Sequence, residues 1–115
     1  MCARCIPIGM RGQNLPGDLP EGWFASDPDR AASLLAELAR EVPPGHLLHG
    51  VRVEVVAHRE GSDDILCRHL DEPSRLTVVH LTWLGREEID TQHPAVESDG
   101  DFASFLAYEA RFAGR

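Results

Sequence analysis

Three runs rich in aliphatic and β-branched residues, VRVEVVA (51–57), ILCRHL (65–70) and RLTVVHLTW (75–83), are separated only by the short stretches REGSDD and DEPS. Gly61 permits a positive φ, and aspartates bond nearby backbone N–H groups, so both stretches read as turns. Parallel neighbours need a crossover of a dozen or more residues, and no such length lies between these runs. The block is therefore confined to an antiparallel meander, which is the strongest single constraint on the fold.

In the first run Val51, Val53, Val55 and Ala57 alternate onto one face. The third run is apolar on both faces, as a central strand is. Hairpins centred near Gly61-Ser62 and Pro73 make Ala57, Leu66 and His80 cross-strand neighbours. Leu76 and Val78 then share the face of His80, with Val53 and Val55 on the neighbouring strand, while Thr77, Val79, Leu81 and Trp83 point the other way. A slip of one residue would reverse the assignment.

Helices flank this block. In ASDPDRAASLLAELAREVPPG, Asp27 suits an N-cap, Pro28 the first helical position and Asp29 the positive end of the helix dipole. Leu34, Leu35 and Leu38, with Ala31, form the apolar stripe, and Pro43-Pro44-Gly45 ends the helix. After a loop, GREEIDTQHPAVESDGD, the segment DFASFLAYEARF groups Phe102, Phe105, Leu106 and Phe112, with Asp99 or Asp101 as the cap. The order α-β-β-β-α predicts an α+β fold, a three-stranded antiparallel meander with an N-terminal and a C-terminal helix on one face. Residues 1–24, rich in Gly and Pro, read as a loose leader, with Met10 an alternative start, and 25–115 as a single domain. A 115-residue chain with 43% hydrophobic residues can build one core without a metal or a disulfide.

All eleven basic residues are arginine, as codon usage in a GC-rich bacterial genome would produce. Net charge is -8, and residues 21–115 hold 9 Arg against 18 Asp and Glu. Such a surface repels phosphate backbones, so nucleic acid is disfavoured as a partner and a basic protein is suited. No apolar run is long enough for a membrane span. The N-terminus lacks a continuous secretory h-region, which points to the cytoplasm.

Several residue groups could carry chemistry. Cys2 and Cys5 with His46 and His49 could complete a tetrahedral zinc site, although the pairs are far apart and HLLH is shorter than the usual His spacing. Cys67 with His69 and His80 could suggest a nucleophile and base, but Cys67 and His69 share a face opposite His80. The acidic pairs Asp63-Asp64, Asp71-Glu72 and Glu87-Glu88 sit at turns, where carboxylates cap and solvate. Walker A, GxGxxG and GxSxG motifs are absent, so no cofactor is indicated and the balance leans away from an enzyme. Trp83, followed by Glu87, Glu88, Asp90 and His93, could anchor a recognition surface with a charged rim, or could pack at the core edge under the last helix. His80, within an apolar strand, reads first as a neutral core histidine, and second as a working imidazole needing a carboxylate such as Asp64 or Asp90.

The segment 49–94 resembles a family of small bacterial proteins of no assigned activity, whose pattern runs GxxVxxVARR, DDVLF, then VAVVHLTW.G..E.D...P. The matching residues are Gly50, Val53, Val56, Ala57, Arg59, Asp63, Asp64, Leu66, Val78 to Trp83, Gly85, Glu88, Asp90 and Pro94. Ile65 and Cys67 depart from it, as do His58 and His93. The resemblance implies a shared scaffold and no catalytic residue. The sequence is thus expected to specify a small acidic module acting by binding, an interaction or inhibitor protein of the immunity or antitoxin kind, with a homo-oligomer also compatible. The alternatives are a small enzyme or ligand-binding protein with a pocket near His80, Trp83 and Asp64, and a zinc-stabilised domain.

Overall fold

A computed structural model describes residues 15–113. Five antiparallel strands form one meander sheet in the order β1-β2-β3-β4-β5, with β1 at Trp23–Ala25, β2 at Val53–Arg59, β3 at Asp64–His69, β4 at Leu76–His80 and β5 at Ala95–Gly100. Helix α1, Pro28–Glu41, lies between β1 and β2, and helix α2, Phe102–Ala113, closes the described chain. The α+β class holds, but the sheet has five strands where three were expected. β1 straddles the end of the stretch read as a leader, and β5 lies within the stretch read as a loop. Both are short edge strands whose sequences, WFA and AVESDG, lack sustained alternation, so pairing with β2 and β4 rather than propensity makes them strands. Leu15 and Leu19 also pack against the core, whereas Cys2, Cys5 and Met10 lie outside the described residues.

The helices cover opposite faces of the sheet, not one. Leu34 and Leu38 of α1 pack with Val53, Val55, Ile65, Cys67, Val79 and Leu81. Phe105 and Tyr108 of α2 pack with Val56, Ala57, Leu66, Leu76, Val78 and Trp23. A strand with apolar residues on both pleat faces needs two covering layers. Leu35 departs from the predicted stripe and is partly exposed. Its place on the buried face is taken by Glu37 and Glu41, so the stripe runs 34, 37, 38, 41. The Phe112 side chain lies outside the described side chains.

Ala57 pairs with Leu66 as the trial register requires, but Leu66 pairs with Val78 and Asp64 with His80. The second hairpin is thus offset by two residues, which keeps every facing because the side-chain period is two. A bulge between Val55 and Ala57 breaks the first alternation, sending Val53 and Val55 to α1 and Ala57, with Val56, to α2. A second bulge lies between Val78 and Val79, where Ser98 and Val96 are the partners on β5. The predicted caps form: Asp27 accepts from the Arg30 N–H at 2.7 Å, and Asp101 from the Ser104 N–H at 2.9 Å.

At the β3–β4 hairpin end a polar chain crosses the sheet. Buried His69 donates from Nε2 to Thr77 Oγ1 at 2.7 Å, Thr77 donates to Asp99 at 2.8 Å, and the Arg75 guanidinium holds both Asp99 oxygens at 2.9 and 2.7 Å. The Arg75 hydrogen bonds hold the Asp99 carboxyl below the ordinary aspartate value of 3.8, assisted by Thr77. A carboxylate depressed in the fold contributes stability that is present above its unfolded pKa and is lost as pH falls through the folded value. Asp99→Asn should therefore lower the Tm by roughly 2–4 °C at pH 7. Thermal melts across pH should show that difference shrinking as pH drops below 3.8; a difference constant down to pH 2 would exclude the linkage.

Candidate functional site

The segment VVHLTW spans the end of β4 and the three residues after it, and Asp63 and Asp64 lie just before and at the start of β3. Adjacent residues of an extended chain project to opposite sides, and each aspartate captures a different residue of that segment. Asp64, nearly buried, accepts from His80 Nδ1 at 2.8 Å through one oxygen and from Arg59 Nε at 3.0 Å through the other. Arg59 continues to Glu109 of α2 as a two-pronged ion pair and stacks over the Trp23 ring at 4.8 Å. Asp63 accepts from Trp83 Nε1 at 3.0 Å, and its carbonyl accepts from the Leu81 N–H at 3.0 Å. Of the residues expected to share a pocket, His80 and Asp64 bond to each other, whereas Trp83 bonds to Asp63.

His80 is not a core histidine. Its side chain is 47% exposed at the last residue of β4. Asp64 fixes Nδ1 as the protonated nitrogen of the neutral ring, and Nε2 has no hydrogen-bond partner among the described residues. Nor does Trp83 pack under the last helix. It adopts φ +57°, a left-handed conformation that costs a bulky residue free energy and needs compensation.

The compensation comes from α1, through two residues that are not among the sequence candidates. Glu41, completely buried, accepts the Thr82 N–H at 2.9 Å on one oxygen and the Trp83 N–H at 2.7 Å on the other. Glu37, one turn earlier, accepts the Gly85 N–H at 3.0 Å and Arg40 at 2.7 Å. Gly85 itself sits at φ +77°, where a side chain would add strain. Burial, then the hydrogen bond to Glu37, raises the Glu41 carboxyl above the ordinary glutamate range, and that same bond lowers Glu37. The two carboxyls lie one turn apart on α1, and all four of their oxygens accept hydrogen bonds from the loop or from Arg40. A signal existed for them: two glutamates at i and i+4, in register with Leu34 and Leu38 on the core stripe.

Further bonds close the rest of the 81–94 loop. Glu88 donates its N–H to the Glu41 carbonyl at 2.9 Å and accepts Thr82 Oγ1 at 2.7 Å, and Asp90 accepts the Gln92 N–H at 2.8 Å. Asp90 lies 3.5 Å from His93, and the carboxylate near His80 is Asp64. Glu87 has no ion pair or hydrogen bond among the described residues. The loop so held presents Trp83, Leu84 and Ile89 at 49%, 43% and 90% exposure, rimmed by Arg86, Glu87, Glu88 and Asp90.

The zinc arrangement meets an obstacle. His46 donates from Nε2 to the Pro94 carbonyl at 2.7 Å and accepts the Leu48 N–H on Nδ1 at 3.0 Å, so both nitrogens are engaged in loop closure. Among the described residues no group of three or more His, Cys, Asp or Glu could hold a metal ion, and no helix is long and apolar enough to cross a membrane. Cys67 is fully buried facing α1, and burial pushes its thiol up to about 12, so it is no nucleophile. Compared with known protein families, curated proteins and solved structures, the chain matches none.

Replacing one oxygen acceptor of Glu41 by an amide leaves an N–H of Thr82 or Trp83 facing another donor. Glu41→Gln should destabilise the fold by about 1–3 kcal/mol in denaturant melts. Amide hydrogen exchange should locate the loss, with Thr82 and Trp83 deprotected well beyond the global change; unchanged protection there would show that the carboxyl pair does not hold the loop.

Proposed function

We propose that this protein acts by binding another protein through the 82–90 loop, with Trp83, Leu84 and Ile89 as apolar anchors and the acidic rim selecting a basic partner. One observation carries the reading. A loop that exposes three large apolar side chains to water is tied down by two buried carboxyls that hold its backbone, the strained Trp83 included. Exposed apolar clusters rimmed by charge mark interaction sites, and a pre-ordered loop loses less entropy on docking. The net charge of -8 favours fast, salt-sensitive encounter with a positive surface. A small acidic inhibitor, of the immunity or antitoxin kind, is the form this activity would take.

A photo-crosslinking residue in place of Ile89 should capture one discrete basic protein in cells. Trp83→Ala should lower that capture at least tenfold, and raised salt should lower it further. The same residue at exposed Ala107 of α2, which covers the other face of the sheet, should capture nothing in common. Equal capture from both positions, or none from Ile89, overturns the reading; capture of a second copy of the chain would reassign the loop to self-association.

The His80–Asp64 pair supports a second reading, since an imidazole oriented by a carboxylate and open at Nε2 can act as a general base. Against it, His80 lines neither the groove beside Leu76 and Phe102 nor the groove beside Leu35 and Leu48. Hydrolysis of 4-nitrophenyl acetate that is lost in His80→Gln would favour it, and a rate equal in both proteins would remove it.

A further inference from the structure

The cover of α1 over the sheet is incomplete where β2 begins and β3 ends. Leu35 on α1, Val51 before β2 and Leu70 after β3 are large apolar side chains left partly exposed. With Ala39 and Val42 they line a groove of about 640 Å³ over buried Leu38 and Leu48. That volume lies in the range of specific binding clefts, and the three exposed side chains form a contiguous patch and not scattered surface residues. The charge in the lining is one-sided. Arg52 is neutralised by Asp71 at 2.6 Å, whereas Glu87, reaching the groove from the 82–90 loop, has no ion pair among the described residues; His49 adds an imidazole at the rim. Glu87 therefore belongs both to the groove lining and to the 82–90 loop.

We infer that the groove seats a basic segment of the protein partner, aliphatic side chains filling the cleft between Leu35 and Leu70 and a Lys or Arg meeting Glu87. The assignment rests on the reading that the 82–90 loop binds a protein, and it extends that interface onto α1. The occupant follows from complementarity: an apolar floor, one unneutralised carboxylate and a chain of net charge -8 favour a cationic amphipathic segment over an acidic or neutral one.

The test is a titration of the isotope-labelled protein with a synthetic Leu/Lys amphipathic peptide, its Leu/Glu counterpart and octyl glucoside, followed by NMR. The Leu/Lys peptide should shift the amides of Leu35, Ala39, Val51, Leu70 and Glu87 saturably, while the Leu/Glu peptide leaves them unmoved. Glu87→Gln should weaken binding at least threefold, and Leu35→Asp, at an already exposed position, at least tenfold with an unchanged circular dichroism spectrum. Equal binding of both peptides overturns the inference, and so does equal saturation by octyl glucoside, which would make the groove a site for small apolar ligands. Shifts confined to Trp83, Leu84 and Ile89 would remove the groove and leave the loop reading intact. Shifts in the groove with no crosslink from Ile89 would leave the groove standing and remove the loop.

Discussion

Two buried glutamates of α1 hold the loop that leaves β4 in place. Glu37 and Glu41 lie one turn apart on α1 and point into the junction between that helix and the segment leaving β4. A lone buried carboxylate would be costly, but here Glu41 receives two backbone N–H groups, and Glu37 receives one together with the Arg40 guanidinium. The N–H groups of Thr82, Trp83 and Gly85 would otherwise have to find water or leave the loop free to move. The helix thus fixes the shape of a loop that has little core of its own.

A second device couples that loop to the sheet. The neighbouring aspartates before and at the start of β3 divide their work between the two faces, Asp63 holding the Trp83 ring and Asp64 holding His80. Through Arg59 and Glu109 the Asp64 side reaches α2, so both helices and four strands are tied to one end of the meander. The opposite end is closed separately, by the relay from His69 through Thr77 to Asp99 and Arg75. The fold is therefore stiffened at both ends by charged or polar chains, with the apolar layers between them.

Of the candidate site, the sequence made the participants legible but not their roles. Trp83, His80 and Asp64 stand out because an aromatic, an imidazole and paired carboxylates are unusual at the edges of an apolar strand. Their partners do not stand out. Arg59 and Glu109 are fifty residues apart, and Glu37 and Glu41 look like ordinary helix-surface charges unless counted in phase with Leu34 and Leu38. Ile89 escapes notice because an isolated isoleucine in an acidic loop carries no pattern; only its 90% exposure marks it.

Short connections and caps are local physics, and through them the sequence alone determined an antiparallel β2-β3-β4 meander, two helices with aspartate caps, and the pairing of Ala57 with Leu66. Tertiary structure decided the rest. β1 and β5 exist because β2 and β4 offer open edges to weakly biased segments. The helices take opposite faces because the bulge in β2 reverses its alternation and a central strand apolar on both sides needs two covers. Whether His80 was buried or exposed depended on where β4 ended, and it ends at His80. Whether two glutamates were solvent charges or a buried clasp depended on which loop came to rest against them, and no residue spacing within α1 records that.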